Sequence, residues 1–226
     1  SDSAGWEWIN NGKDFLWVSE KDGWRHIYRI DREGKETLLT KGNYDIIDMH
    51  SIDEKNGLIY FTASPGNATQ RYLYSVRLDG TGQLTRISPE SQAGTHRYTF
   101  SANAQFANHT FSNIRNKRRS EWVRIPSHEV IKTNEQPSGA GKDSISVEMF
   151  QVTTDDGVTM DGWMVKPESF DSTKKYPVVF HVYAEPAGTT VTDAAGSAAT
   201  TLYAGVMAKD GYITMSIEGR GTPAPK

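Results

Sequence analysis

The residues able to do chemistry are few and scattered. Six histidines, His26, His50, His96, His109, His128 and His181, are spread along the 226-residue chain. No two stand in a His-Glu-x-x-His frame, the spacing that puts two imidazoles on one helix face for zinc, so no metal is expected. Cysteine is absent, which excludes disulfides, thiolate metal sites and a Cys nucleophile. Asp155-Asp156-Gly157 looks superficially like part of a calcium loop but reads better as a hairpin turn. Gly219-x-Gly221 lacks the third glycine and the following helix of a dinucleotide loop, so no cofactor is expected.

The remaining candidates sit where strands end. Val178-Val179-Phe180-His181-Val182-Tyr183 is an apolar run of strand length that opens into Ala184-Glu185-Pro186-Ala187-Gly188. Tyr212-Ile213-Thr214-Met215-Ser216-Ile217 is a second such run and opens into Glu218-Gly219-Arg220-Gly221. Between them Ala198, Leu202 and Val206 are four apart and predict a helix over 198–209, stopped at Asp210-Gly211. Strand, helix, strand is the beginning of a parallel α/β sheet, whose strands are buried on both faces. On these grounds alone Tyr183 is an interior tyrosine with a satisfied hydroxyl. His181, two residues before it on the same strand face, is a core histidine. Upstream, 146–152 and 160–165 form a hairpin around the Asp155-Asp156-Gly157 turn, ended by Lys166-Pro167.

The first 125 residues must be read differently. Short aromatic and β-branched runs alternate with Asn11-Gly12, Asp22-Gly23, Asn56-Gly57 and Asp79-Gly80, all suited to tight hairpins. Tyr28 recurs as Tyr74, 46 residues on, and Leu16-Trp17 matches Ile59-Tyr60, 43 residues on. A third and weaker copy runs through 106–111 and 122–125. Four short strands per roughly 40–50 residues is the period of a β-propeller blade. A plain sandwich also gives short strands, but the matched aromatics favour blades. The expected architecture is therefore mainly β. Residues 1–126 make two to three propeller blades, 127–143 a Pro- and Gly-containing linker, and 144–226 the first part of an α/β domain. A ring needs at least four blades, and one strand-helix-strand unit cannot cover both faces of its sheet. Both ends predict that the chain is an internal piece of a larger protein.

Composition narrows the partners. The net charge of −3 offers no basic excess to neutralise phosphates, so nucleic acid is not an expected partner. Lys117-Arg118-Arg119 is the one basic cluster and reads as a solvated turn. No apolar run reaches the 18 or so residues of a membrane span. Absence of cysteine suits many exported bacterial proteins without fixing the compartment.

The order of these elements carries a resemblance. A hairpin, a strand ending in Val-Tyr-Ala-x-Pro, a helix, and a strand ending in acidic-x-Arg-Gly-Thr resemble the start of the hydrolase domain of the prolyl oligopeptidase family. The dipeptidyl peptidase IV branch, its bacterial members above all, is the nearest match. Asp22-Gly23-Trp24-Arg25-His26-Ile27-Tyr28 and the 55–64 segment resemble propeller segments of that branch. The resemblance implies a serine exopeptidase on an α/β-hydrolase fold. It would take peptide substrates and no cofactor, releasing dipeptides after Pro or Ala, in a periplasmic or exported parent in which homodimerisation stays open. It gives Tyr183 the role of oxyanion donor and Arg220 that of a loop anchor. Glu185 stands where better-known members carry Gly. It could bind substrate on the leaving-group side, orient its loop or be a solvated acid. Glu218 replaces a more usual Asp.

Such an enzyme needs a nucleophile in a Gly-x-Ser-x-Gly elbow. Ser138 has Gln136 and Ala140 at the two glycine positions, Ser197 has Ala195 and Ala199, and no other serine fits. The Ser-Asp-His triad and a glutamate pair for the substrate's amino group are expected outside this segment. The polypeptide alone is expected to be inactive. The competing readings are a non-catalytic propeller interaction module and a related acylaminoacyl peptidase or oligopeptidase.

Overall fold

Turn chemistry comes first. Gly12, Gly23, Gly57 and Gly80 all have positive φ, 74°, 95°, 67° and 75°, as the four hairpin dipeptides predict. The structure, a computed structural model, describes residues 6–116, 118–134, 146–183, 188–198 and 206–220. The turns fold the first part into two four-stranded antiparallel sheets. One is β1 (Trp6–Ile9), β2 (Asp14–Ser19), β3 (His26–Ile30) and β4 (Glu36–Leu38), in that spatial order. The second is β5 (Ile46–Asp53), β6 (Leu58–Ala63), β7 (Tyr72–Arg77) and β8 (Thr85–Arg86), again in order.

The expected weak third copy is a complete sheet: β9 (Thr95–Phe100), β10 (Phe106–Ser112), β11 (Arg119–Arg124) and β12 (Val130–Thr133). The stretch read as a linker, 127–143, thus contributes an outer strand, and 135–145 lie outside the described residues. The backbone repeats more faithfully than the side chains. Ile27, Leu73 and Ser120 each accept one amide from the residue that leads out of the outer strand, Leu39, Ile87 and Asn134, at 2.8–2.9 Å. Those positions are 46 and 47 residues apart. The register then pairs Trp17 with Tyr28, Phe61 with Tyr74, and His109 with Glu121. Trp17 therefore corresponds to Phe61, one residue beyond the Tyr60 that the sequence match suggests. One residue flips the face in a strand.

Packing explains why these are blades. The second sheet is buried on both faces. Ile59, Phe61 and Ala63 pack with Leu16, Ile27 and Leu39, while Tyr60 and Leu73 join Tyr98, Ala107 and Val123. Consecutive residues of β6 point to opposite sides, so each feeds a different core. Sandwiching between two neighbours is the condition that defines a blade.

His50 of β5 sits at the junction of the second and third sheets. Its Nε2 lies 2.5 Å from Thr62 Oγ1, and its ring stacks on Phe100. Burial holds its pKa below the ordinary histidine value of 6.5, with Asp48 opposing weakly. The unfolded chain therefore takes up this proton first as pH falls. Stability contributed by neutral His50 is present above pH 6.5 and is lost as pH falls below it. His50→Gln is expected to flatten the decline of the urea midpoint between pH 7 and pH 5.

The fourth sheet is mixed. It comprises β13 (Val147–Thr153), β14 (Thr159–Val165), β15 (Val178–His181) and β16 (Ile213–Ile217), in the order β13-β14-β16-β15. β15 and β16 run parallel, and the other pairs are antiparallel. Of the predicted helix, 199–205 lie outside the described residues. Its end is a turn in which the amides of Lys209 and Asp210 both donate to Val206 O. No helix occurs among the described residues.

Candidate active site at the strand ends of the fourth sheet

β15 is not buried on both faces. Within this chain it is bonded along one side only, to β16, and Val178 and Phe180 are 54% and 47% exposed. His181 is exposed as well within this chain. Tyr183 follows the strand at its carboxyl end, 42% exposed. A Cβ placed on Gly188 would lie 3.5 Å from the Tyr183 ring, so the chain returns alongside it. The carboxyl edge of a parallel pair is where open α/β sheets place ligands, because the loops diverge there. Tyr183 and the Glu218–Arg220 loop both lie on that edge.

Three buried groups fix the edge. Ser216 Oγ, fully buried, donates towards His181 O at 2.7 Å and lies 3.1 Å from Thr190 Oγ1. Glu218, 5% exposed, accepts the amides of Thr190 and Val191 at 2.9 and 3.0 Å through Oε2. Trp163 Nε1 of β14 donates to Thr190 O at 3.0 Å. Together they clamp residues 189–191 against the sheet.

The same segment then crosses to the blades. Asp193 is its hub. Its amide donates to Thr69 O, its Oδ2 accepts from Gln70 Nε2, its Oδ1 accepts from the Ile114 amide, and its carbonyl accepts from Thr95 Oγ1, at 2.7–2.9 Å. Ala195 N donates to Ser112 Oγ, and Arg71 Nη2 to Thr189 Oγ1. Burial lowers the pKa of Arg71 to about 10, with the negative charge of Glu218 opposing the shift. Residues 188–198 are thus a strap that ties the edge carrying Tyr183 to the second and third sheets. A cavity of about 250 Å³, rimmed by Arg97 and Arg118, lies between strap and third sheet.

Comparison with known proteins agrees with this architecture. Residues 5–118, half of the chain, match the family model described as the dipeptidyl peptidase IV (DPP IV) N-terminal region. The chain belongs to the dipeptidyl peptidase IV family. A probable dipeptidyl-aminopeptidase B of Coccidioides posadasii (strain C735) is 31% identical over 221 residues, covering 89% of this chain and 22% of the relative. A dipeptidyl peptidase 4 of Trichophyton rubrum is 29% identical over 228 residues, covering 94% and 28%. The crystal structure of Porphyromonas gingivalis dipeptidyl peptidase 4 superposes with a TM-score of 0.82 at 25% identity, covering 97% of this chain and 31% of that one. The chain spans about a quarter of the length of these relatives.

Within this family member the three site residues read from the sequence have different fates. Tyr183 stands on the open edge described above. Arg220 makes a two-pronged ion pair with Asp156 at 2.6 and 2.8 Å and donates to Thr154 Oγ1 at 3.0 Å. It thereby ties the end of β16 to the β13–β14 turn, and it holds the Asp156 carboxyl well below the usual carboxylate range. Glu185 lies outside the described residues. The strap residues Asp193 and Thr190 were not legible as functional. Their partners lie 26 to 124 positions away, and a polar Ala- and Thr-rich stretch carries no periodic signal.

Proposed function

We propose that the protein carrying this chain is a serine-type exopeptidase that releases dipeptides from free peptide N-termini, after Pro or Ala. Tyr183 donates a hydrogen bond to the oxyanion. Family membership supports the reaction class. The observation that carries the residue assignment is the position of Tyr183: half-exposed, at the carboxyl edge of the parallel pair, on a strand end anchored by Ser216. Attack on a scissile carbonyl places negative charge on its oxygen. A fixed O–H donor there stabilises the transition state more than the ground state. Arg220 acts as a loop anchor, and Glu185, two residues after Tyr183 in the sequence, is the candidate for substrate binding.

The nucleophile, its Asp and His partners and the amino-terminus-binding glutamates belong to other parts of that protein. The 226 residues hold no Gly-x-Ser-x-Gly frame. A panel of fluorogenic substrates tests the reading. The full-length protein is expected to cleave Gly-Pro and Ala-Ala arylamides, to refuse their N-acetyl forms, and to be silenced by a serine-directed fluorophosphonate. The 226-residue polypeptide is expected to give no turnover on either set. Preference for N-acetyl substrates would replace this reading with an acylaminoacyl peptidase.

A further inference from the structure

Polar side chains meet in the buried face between the second and third sheets. His96, His109 and Glu121 are each 1% exposed and Tyr98 6%. His128, half-buried, approaches from the turn after β11, where its own φ is 56°. A chain of contacts runs from Gln92 O to His96 Nε2 at 2.8 Å, from His96 Nδ1 to His109 Nε2 at 2.8 Å, and from His109 Nδ1 to Glu121 Oε1 at 3.1 Å.

The hydrogens in this chain can be counted. A carbonyl oxygen only accepts, so His96 Nε2 must carry a hydrogen. A neutral imidazole has one N–H, so His96 Nδ1 is bare and accepts from His109 Nε2–H. In a neutral ring His109 Nδ1 is then bare in turn, and it faces Glu121 Oε1. The 3.1 Å contact is satisfied by a proton or by a metal ion held between the two atoms. A second observation points the same way. Glu121 Oε2 is buried and accepts no hydrogen bond among the described residues. Arg119 Nε is 3.0 Å from it, off the line of its N–H, on a side chain that is 53% exposed.

We propose that His109 Nδ1, Glu121 and a ring nitrogen of His128 form a binding site for a divalent metal ion of the zinc class. One ligand atom from each lies within 4.8 Å of the other two. Metal–ligand bonds of about 2.0–2.2 Å place ligand atoms roughly 3.3–3.5 Å apart in a tetrahedral site. The His109–Glu121 pair already has that scale, so His128 closes the site by a small inward shift of its turn. Two imidazoles and one carboxylate suit Zn(II), Co(II) or Ni(II) rather than Mg(II) or Ca(II). The outer partners are in place too. His96 and Gln92 O fix the His109 tautomer that presents Nδ1, and Tyr98 OH, 2.9 Å from both His128 Nε2 and Ser88 Oγ, orients the second imidazole. The ion would join β10, β11 and the turn after it. The opposing charges are Arg119 beside Glu121 and Arg86 near His96. Arg119 is free to turn into solvent. Local spacing hides the site, because the ligands are 12 and 7 residues apart on two strands and a turn.

The test uses the 226-residue polypeptide, freed of metal by a chelator, with Zn(II) or Co(II) alone. Calorimetry is expected to give one equivalent bound, Co(II) to show the visible absorption of a four-coordinate nitrogen and oxygen site, and Zn(II) to raise the Tm. His109→Asn and Glu121→Gln are expected to weaken binding at least tenfold, while His181→Asn, on the exposed edge strand, leaves it unchanged. Since core variants can fold poorly, circular dichroism accompanies them. Arg119→Ala supplies the independent arm: removing a surface cation beside the ligand should tighten binding. Absence of one-to-one binding, equal binding by Glu121→Gln, or weaker binding by Arg119→Ala would each overturn the proposal.

Discussion

Tyr183→Phe in the full-length enzyme is expected to lower kcat roughly a hundred- to a thousandfold, with KM changed far less. The substitution removes one oxygen and keeps the ring. Tyr183 is 42% exposed within this chain, so folding should be little affected by loss of the hydroxyl. The loss is confined to an interaction made in the transition state, which is why it falls on kcat. Tyr183→Ala should do no better in kcat and adds a slack loop, because Gly188 then faces empty space instead of the ring. Stopped assays on a Gly-Pro arylamide, with active sites counted by a fluorophosphonate probe, separate slow turnover from lost enzyme. Wild-type kcat in Tyr183→Phe would remove the tyrosine from the mechanism, and a pure rise in KM would make it a substrate-positioning residue.

What the sequence reveals and what it hides follows from where the partners lie. Hairpins announce themselves within a few residues, because a positive-φ glycine must sit between two runs. Asp22-Gly23 and Asn56-Gly57 were readable for that reason. The parallel strands were readable as apolar runs, but their burial was not. An edge strand and a central strand share the same Val-Val-Phe composition, and neighbours further along the sheet decide between them. The third blade faded because its aromatic pair is replaced. Where the other sheets set Trp17 on Tyr28 and Phe61 on Tyr74, the third sets His109 on Glu121. The fold tolerates this exchange since the backbone hydrogen bonds at Ile27, Leu73 and Ser120 do not depend on the side chain. The strap was invisible for the opposite reason. Asp193 is an ordinary loop aspartate until the tertiary fold brings Thr69, Gln70, Thr95 and Ile114 around it.

Glu218→Ala is expected to be the most destabilising single change at the strap, by about 2–6 kcal/mol. The largely buried carboxylate caps two backbone amides, Thr190 and Val191. Removing it leaves both N–H groups without an acceptor, and each orphaned donor costs about 1–3 kcal/mol. The charge has a second role. Arg71, 8% exposed, is bound to Ala68 O, Gln70 O and Thr189 Oγ1 and feels Glu218 as its foremost stabilising charge. Without Glu218 that guanidinium stays buried with less compensation. Glu218→Gln separates the two effects. It keeps one acceptor oxygen for the amides and discards the charge, so its cost should fall between wild type and Glu218→Ala. Urea midpoints at constant m give the ordering. Equal stability of wild type and Glu218→Gln would assign the whole effect to the amide caps. In the full-length enzyme the same substitution should also lower kcat, since the clamp that binds 189–191 to the sheet sets the path of the chain beside Tyr183. A Glu218→Ala enzyme that unfolds early yet turns over normally would confine the strap to holding the sheets together.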